Sequence, residues 1–171
     1  MDVGTFTGYS AIAIADALPV DGVVVTCEAD PDVAAVAARF FDQRQQQQQQ
    51  QQSQQHGGGI ELKVGDAATT LQMLADAGQS FDFAFVDANK KGYVDYYEIL
   101  FGTTLLSEGG IAVFDNVLWK DRAPAVRRGE HSPKESIAIT LDAFNAHVTA
   151  DDRTVQLCLP LDDGLMVCRR H

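Results

Sequence analysis

The chain reads as an α/β fold: a mostly parallel sheet with helices on both faces and an antiparallel hairpin at its C-terminal end. Two observations predict this. First, four short apolar runs recur, each with the length and composition of a buried strand, and helical patterns separate them. Such alternation implies a parallel sheet. Second, each run ends on a carboxylate. Val23-Val24-Val25-Thr26-Cys27 stops at Glu28, and Ile60 to Val64 reaches Gly65-Asp66. Phe83 to Val86 stops at Asp87, and Ile111 to Phe114 at Asp115. In a parallel sheet the carboxyl ends share one edge, where open α/β sheets bind ligands. A single acid after a strand starts a turn or caps a helix. Four in succession favour a site.

The elements follow in order. Asp2-Val3 is the end of a strand, and the loop Gly4 to Ser10 follows it. Ser10 to Leu18 is a short helix, stopped by Pro19 and the turn Asp21-Gly22. Val23 to Cys27 is a strand. Asp30 caps the next helix and Pro31 occupies its first turn, with Val33, Val36, Ala37 and Phe40 at helical spacing. Composition then changes. Gln45 to Gln52 are eight consecutive glutamines, followed by Ser53-Gln54-Gln55-His56 and three glycines. Residues 43–59 are expected to be a low-complexity loop insertion in one domain spanning 1–171, able to extend the helix before it. Strand-helix alternation resumes in phase at Ile60.

Asp66 to Ala75 reads as helix, Asp82 to Asp87 as strand, and Tyr93 to Leu106 as helix. Gly109-Gly110 leads into the strand Ile111 to Asp115. Leu118 to Pro133 reads as irregular and polar, with Arg122, Arg127, Arg128 and His131. Lys134 to Val148 is the last helix. Val155 to Leu159 and Leu165 to Arg169 form the hairpin around Asp162-Asp163-Gly164, whose short loop makes them antiparallel.

Bulk composition narrows the function. The 171 residues are 46% hydrophobic and 22% charged, enough for a real core. A formal charge of -11, with Lys+Arg at 13, argues against nucleic-acid and anionic-membrane partners. Three cysteines, Cys27, Cys158 and Cys168, are too few for a disulfide framework. Cys27 and Cys158 sit in strand-like runs and are expected to be buried. Cys158 and Cys168 flank the hairpin turn and could be neighbours across it. Reduced thiols and no visible signal peptide make the expected location cytoplasmic. The early apolar stretch Ala11 to Val20 is broken by Asp16 and Pro19, so it is no membrane span.

Two constellations could carry chemistry. The first is the loop Gly4-x-x-x-Gly8 with Glu28, twenty residues beyond Gly8. The loop lacks G-x-G-x-x-G spacing and is no P-loop. It runs into a helix whose N-terminal N–H groups suit a carboxylate. An acid ending the next strand can accept both ribose hydroxyls. Together these fit an adenosine ligand, either a dinucleotide or S-adenosylmethionine; a tight turn and a solvated strand end are the plain alternatives.

The second constellation is Asp87, Asp115 and Asn116. These hard oxygen donors suit an octahedral ion such as Mg²⁺ and leave room for water and substrate. A simple polar turn at Asp115-Asn116 is the alternative. Lys90 follows Asp87 by three residues. Beside an ion and partly desolvated, a lysine can have its pKa lowered and take a proton from a hydroxyl. Otherwise it is a surface lysine, as Lys91 is by default. Trp119 could wall an aromatic substrate or simply belong to the core or rim. No Ser/His/Asp arrangement stands out.

Four segments in order resemble the cation-dependent O-methyltransferases of the caffeoyl-coenzyme A and catechol type, which are class I S-adenosylmethionine enzymes. They are Gly4-Thr5-Phe6-Thr7-Gly8-Tyr9-Ser10, Val86-Asp87-Ala88-Asn89-Lys90, Asp115-Asn116-Val117-Leu118-Trp119 and Asp163-Gly164-Leu165. The resemblance spans nearly the whole chain except the glutamine insertion and implies a Rossmann-like methyltransferase fold. It implies that Asp2 lies near the methionine amino group, and that Gly4, Phe6, Tyr9 and Ser10 line the methionine end. Glu28 would take the ribose, and Asp66 and Ala67 would lie at the adenine. Asp87, which also borders the cofactor, would join Asp115 and Asn116 as metal ligands, with Lys90 as the base.

The implied cofactors are S-adenosylmethionine and Mg²⁺ or another divalent cation. The implied partners are a small hydroxylated aromatic substrate at Trp119 and a second copy in a homodimer. Three departures stand out. Asp2 replaces the family's usual Glu, and Asn89 its usual Asp. The third is at the front: family members carry helices and most of a first strand before this loop, so the expectation is an N-terminally truncated domain with exposed apolar surface. Two rivals are a non-catalytic form of the fold and an NAD-dependent oxidoreductase, which should carry G-x-G-x-x-G.

Overall fold

The computed structural model describes residues 1–50, 57–130 and 136–171. They form two compact units, 1–70 and 71–171, dividing inside one helix and not at the glutamine tract. The first unit holds β1 (Asp2–Val3), α1 (Tyr9–Ala17), β2 (Val23–Glu28), α2 (Pro31–Gln50), β3 (Gly59–Val64) and the start of α3 (Ala67–Asp76). Its strands are parallel, in the order β3-β2-β1. Val3 pairs with Cys27, and Glu28 with Val64, so the carboxyl ends of all three lie together. Ala11 and Ala15 of α1 pack on Val24, with Leu18, Phe41 and Ile60 around them. Small residues on α1 let the helix approach the sheet closely.

The expected cap on α2 is present: Asp30 Oδ1 accepts from the N–H groups of Asp32 (2.9 Å) and Val33 (3.3 Å). The first part of the glutamine tract extends the helix before it, one of the two forms expected. Helix α2 continues through Gln50. Glutamine is a good helix former, and an existing helix extends without a new nucleation cost. Arg44 anchors this stretch, with Nε on Asp16 at 2.7 Å and Nη1 on the Gly58 carbonyl at 3.0 Å. The rest of the tract, residues 51–56, lies outside the described residues.

The second unit holds β4 (Phe81–Val86), a 3₁₀ turn (Lys90–Gly92), α4 (Tyr93–Gly102), β5 (Leu106–Asp115), α5 (Arg122–Arg127), α6 (Ser136–Ala150), β6 (Thr154–Leu159) and β7 (Leu165–Arg170). Strand order is β4-β5-β7-β6, with β4 and β5 parallel and β7 antiparallel to both neighbours. An aromatic core joins Tyr93, Tyr97, Phe114 and Phe144. Phe114 and Phe144 lie 4.9 Å apart, and Tyr93 meets Phe144 edge-on at 5.3 Å. Helices α4 and α6 thus cover the sheet face that carries Ala112 and Phe114.

The other face carries exposed apolar residues: Phe83, Ile111, Val155 and Leu157 are 36%, 37%, 56% and 57% exposed, and the exposed Arg169 pairs with both Ile111 and Val155. No helix of the described residues is long and apolar enough to cross a membrane.

Several boundaries moved. Helix α4 ends at Gly102 rather than Leu106, and β5 begins at Leu106. Gly109-Gly110 lies inside β5, where the register with β4 shifts and Gly109 takes φ +72°. A bulge residue of that conformation suits glycine. Arg122–Arg127 is helical, not irregular. His131 and the expected helix start at Lys134 lie outside the described residues.

Cys158 is exposed, because β6 is the edge strand of its unit, whereas Cys27 and Cys168 are buried. Cys158 pairs with Met166, and Cys168 with Gln156, so the two thiols are offset in register. All three are free. Burial, with Asp2 adding, pushes the Cys27 thiol up to about 12.

Candidate active site

In the first unit the loop after β1 is pinned from beneath. Gly4 and Thr5 both donate their N–H to the Cys27 carbonyl, at 3.1 and 3.0 Å. Asp2 is fully buried, and Oδ2 accepts from Thr26 Oγ1 at 2.6 Å. With that proton committed, Thr5 Oγ1 donates to Thr26 across 2.6 Å. Asp2 thus fixes the loop through a chain of two hydroxyls. Gly8 begins α1 at φ +93°, and a Cβ there would lie 2.6 Å from Phe41 Cε1. Only glycine meets both conditions. Phe6 and Tyr9 stand out from the loop, 69% and 85% exposed. Ser10 lies in the first turn of α1.

Glu28 is already engaged. Oε2 accepts the Phe6 N–H at 2.8 Å, and Oε1 accepts the Asp30 N–H at 3.0 Å. Each oxygen retains a second acceptor direction for a hydroxyl donor. The carboxylate therefore ties the loop after β1 to the end of β2 and still faces outward. Asp66 caps α3: Oδ1 accepts from Thr69 N and Oγ1, both at 2.9 Å, and these bonds hold its carboxyl below the usual range. Ala67 follows as the first residue of α3. The ends of β1, β2 and β3 thus present the loop, Glu28 and Asp66 on one edge. A groove of about 510 Å³, lined by Val20, Phe41, Arg44 and Gln48 among others, lies at the opposite end of β3, by Gly59 and Ile60.

In the second unit Val86 pairs with Phe114, so Asp87 and Asp115 follow on neighbouring strands. Lys90 Nζ lies 2.5 Å from Asp87 Oδ1 and 2.7 Å from the Tyr93 hydroxyl, so it is no free surface lysine. Asp115 Oδ1 accepts its neighbour's N–H, from Asn116, at 2.6 Å. Burial raises the Asp115 carboxyl above its ordinary value. The Asp87 and Asp162 charges add to this, against the Asn116 N–H and Lys90. A half-buried carboxylate among like charges is the situation a bound cation relieves. Among the described residues no three His, Cys, Asp or Glu side chains form a metal-holding group. The third protein oxygen would be the Asn116 amide, and this all-oxygen set fits a hard divalent ion.

The hairpin turn explains Asp163-Gly164-Leu165. The Gly164 carbonyl accepts Val117 N–H, and the Asp163 carbonyl accepts Leu118 and Trp119 N–H. A Cβ on Gly164 would lie 2.4 Å from Leu118 Cγ. The turn thus braces the segment after Asp115-Asn116. Trp119, Lys120 and Asp121 are consecutive left-handed residues, at φ 50°, 55° and 61°. Trp119 is half-buried on this segment. Tyr93 is the residue sequence reasoning missed. Its signal was its place three residues after Lys90, at the start of a helix.

The whole chain, residues 1–171, matches the model of the O-methyltransferase family. It is 33% identical over 167 residues to the probable caffeoyl-CoA O-methyltransferase 1 of Dictyostelium discoideum, covering 96% of this chain and 66% of that protein. It is 34% identical over 177 residues to caffeoyl-CoA O-methyltransferase 2 of Zea mays, covering 99% of this chain and 61% of that one. The chain therefore spans about two thirds or less of these curated relatives. A Podospora anserina methyltransferase solved with S-adenosylhomocysteine superposes with a TM-score of 0.78 at 28% identity, covering 99% of this chain and 70% of that one. The chain belongs to the O-methyltransferase family and has the class I, Rossmann-like methyltransferase fold. That membership sets aside the oxidoreductase alternative.

Proposed function

We propose that this chain carries the machinery for S-adenosylmethionine-dependent, divalent-metal-dependent methylation of a hydroxyl on a catechol-like or caffeoyl-type aromatic. The observation that carries the reading is the set at the ends of β4 and β5: two carboxylates, an amide and an amine within bonding reach of one of the acids.

In the first unit the loop backbone and the start of α1 would hold the methionine carboxylate. Glu28 would accept the ribose hydroxyls with its outward lone pairs, and Asp66-Ala67 would border the adenine. S-adenosylmethionine supplies an electrophilic methyl group. In the second unit Asp87, Asp115 and Asn116 would hold the ion. A divalent ion there supplies charge that lowers the pKa of a bound hydroxyl. Lys90 would accept the hydroxyl proton at Nζ, freeing the oxygen for in-line attack, so that positioning carries much of the rate. Trp119 would flank the aromatic ring.

The test is transfer of a labelled methyl group to catechol and caffeoyl acceptors, with and without excess chelator. Mg²⁺-dependent transfer supports the reading. Transfer that persists in chelator overturns the metal assignment, and absence of transfer to either acceptor overturns the substrate class.

A further inference from the structure

Tyr93 stands where two strand ends and one amine meet. It is fully buried as the first residue of α4, immediately after the 3₁₀ turn that carries Lys90. Its ring is fixed edge-on against Phe114 at 5.6 Å and Phe144 at 5.3 Å. Its hydroxyl has three neighbours: Lys90 Nζ at 2.7 Å, the Asp115 carbonyl at 2.8 Å and the Val86 carbonyl at 3.1 Å. A phenol has one proton and two lone pairs. As an ammonium Lys90 donates, so the hydroxyl accepts from it and points its own proton at the carbonyls, Asp115 being the nearer. One oxygen therefore links the amine to the last residue of β5 and to the residue before Asp87.

We propose that Tyr93 is a positioning residue, whose hydroxyl sets where the Lys90 amine sits relative to the strand ends carrying Asp87 and Asp115. Lysine ends a flexible four-carbon stem, and nothing in its own geometry fixes the amine. Here it has two anchors, Asp87 Oδ1 and the Tyr93 hydroxyl, with the Tyr93 ring centroid 4.9 Å below it. Asp87 is also a candidate metal ligand, so its carboxylate has a second claim on it. The Tyr93 lone pair that faces Lys90 has no such rival, because its two carbonyl neighbours can only accept. It holds the amine however Asp87 is engaged. A purely structural tyrosine would need only one carbonyl to satisfy its hydroxyl. The bond accepted from Lys90 exceeds that need.

The kinetic arm of the test rests on the methyl-transfer reading; the labelling arm does not. Tyr93→Phe removes one oxygen and keeps the packed ring. The expected kinetic result is a kcat lower by about tenfold to a hundredfold, the worth of one hydrogen bond to a charged group, with KM for S-adenosylmethionine unchanged. In a Lys90→Met background the same substitution should have almost no further effect on kcat. Independently, acetylation of Lys90 by acetic anhydride, read by mass spectrometry against Lys91 in the same chain, should rise severalfold in Tyr93→Phe. A chain that transfers no methyl group defeats the proposed function, and the labelling ratio still decides on Tyr93. An unchanged labelling ratio, or an equal loss of kcat with and without Lys90, overturns the positioning role.

Discussion

Replacing Glu28 by alanine separates cofactor binding from folding, and both magnitudes follow from its contacts. The carboxylate accepts two backbone N–H groups, from Phe6 and Asp30. Both bonds lie at the surface, where the freed N–H groups find water, so each is worth about 0.5–1.5 kcal/mol of stability. Their loss together should lower Tm by about 2–12 °C, at about 2–4 °C per kcal/mol for a chain of this size. Two ribose hydroxyls donating to a charged acceptor are worth about 1.5–3 kcal/mol each. Their loss is about 3–6 kcal/mol, or about two to four powers of ten in Kd. Glu28→Gln keeps an acceptor oxygen and should fall between. Calorimetry with S-adenosylmethionine, alongside thermal melts, reads both quantities. An affinity unchanged in Glu28→Ala refutes the ribose assignment. NAD binding as tightly as S-adenosylmethionine to the parent refutes the cofactor.

Asp115→Asn should abolish Mg²⁺-dependent transfer while leaving the metal-free Tm unchanged or higher. The folded state raises this carboxyl, so its charge costs stability above the ordinary carboxylate range, and a neutral isostere removes that cost. A marked fall in Tm would contradict it. Lys90→Ala should lower turnover by about 10²–10⁴-fold, the usual range for a general base, checked by single-turnover kinetics. Arg153 donates to Asp151 and Glu98, and its hydrogen bonds hold the Asp151 carboxyl well below the usual range. A depressed folded value means stability present above the unfolded value and lost as pH falls through the folded one. Melts across that acid range should show Arg153→Met losing less than the parent. Deleting Gln45 to Gln55 should change Tm little, because Gln45 to Gln50 form a mostly exposed helix end and the closure cost of the connection depends weakly on its length; a large drop would show that the tract packs on its unit.

The strands were legible because each is a short apolar run closed by an acid, and that pattern survives any tertiary context. The acids therefore fell at strand ends as expected, Glu28 at the end of β2, Asp66 after β3, Asp87 after β4 and Asp115 at the end of β5. What misled was local punctuation. Gly109-Gly110 looks like a turn before a strand, yet pairing with β4 carries the strand through it with a register shift. Cys158 looks like a core residue because its run is apolar, yet its place on the edge strand of its unit leaves it exposed. Whether the glutamine tract continues as helix or loop was open in the sequence, and through Gln50 it inherits a nucleated helix and the Arg44 anchor. In each case the deciding fact is a neighbour far away in sequence.

The same distinction runs through the site. Residue types and spacing pointed to the acids, the amide and the amine, because chemistry restricts what can bind an ion or take a proton. They could not show that Glu28 ties down the loop through Phe6, or that Asp2 reaches that loop through Thr26 and Thr5. Nor could they show that Tyr93 holds Lys90 from below. These are supporting roles, and any hydroxyl or carboxylate in the right place could fill them, so they leave little signature in a sequence. Gly164 is the instructive middle case. Its motif was recognisable, but its reason appears only in the fold, where a Cβ would strike Leu118 and push aside the segment after Asp115 and Asn116. A substitution there should act on the candidate metal ligands although it touches neither, because the hairpin turn and the segment share their hydrogen bonds.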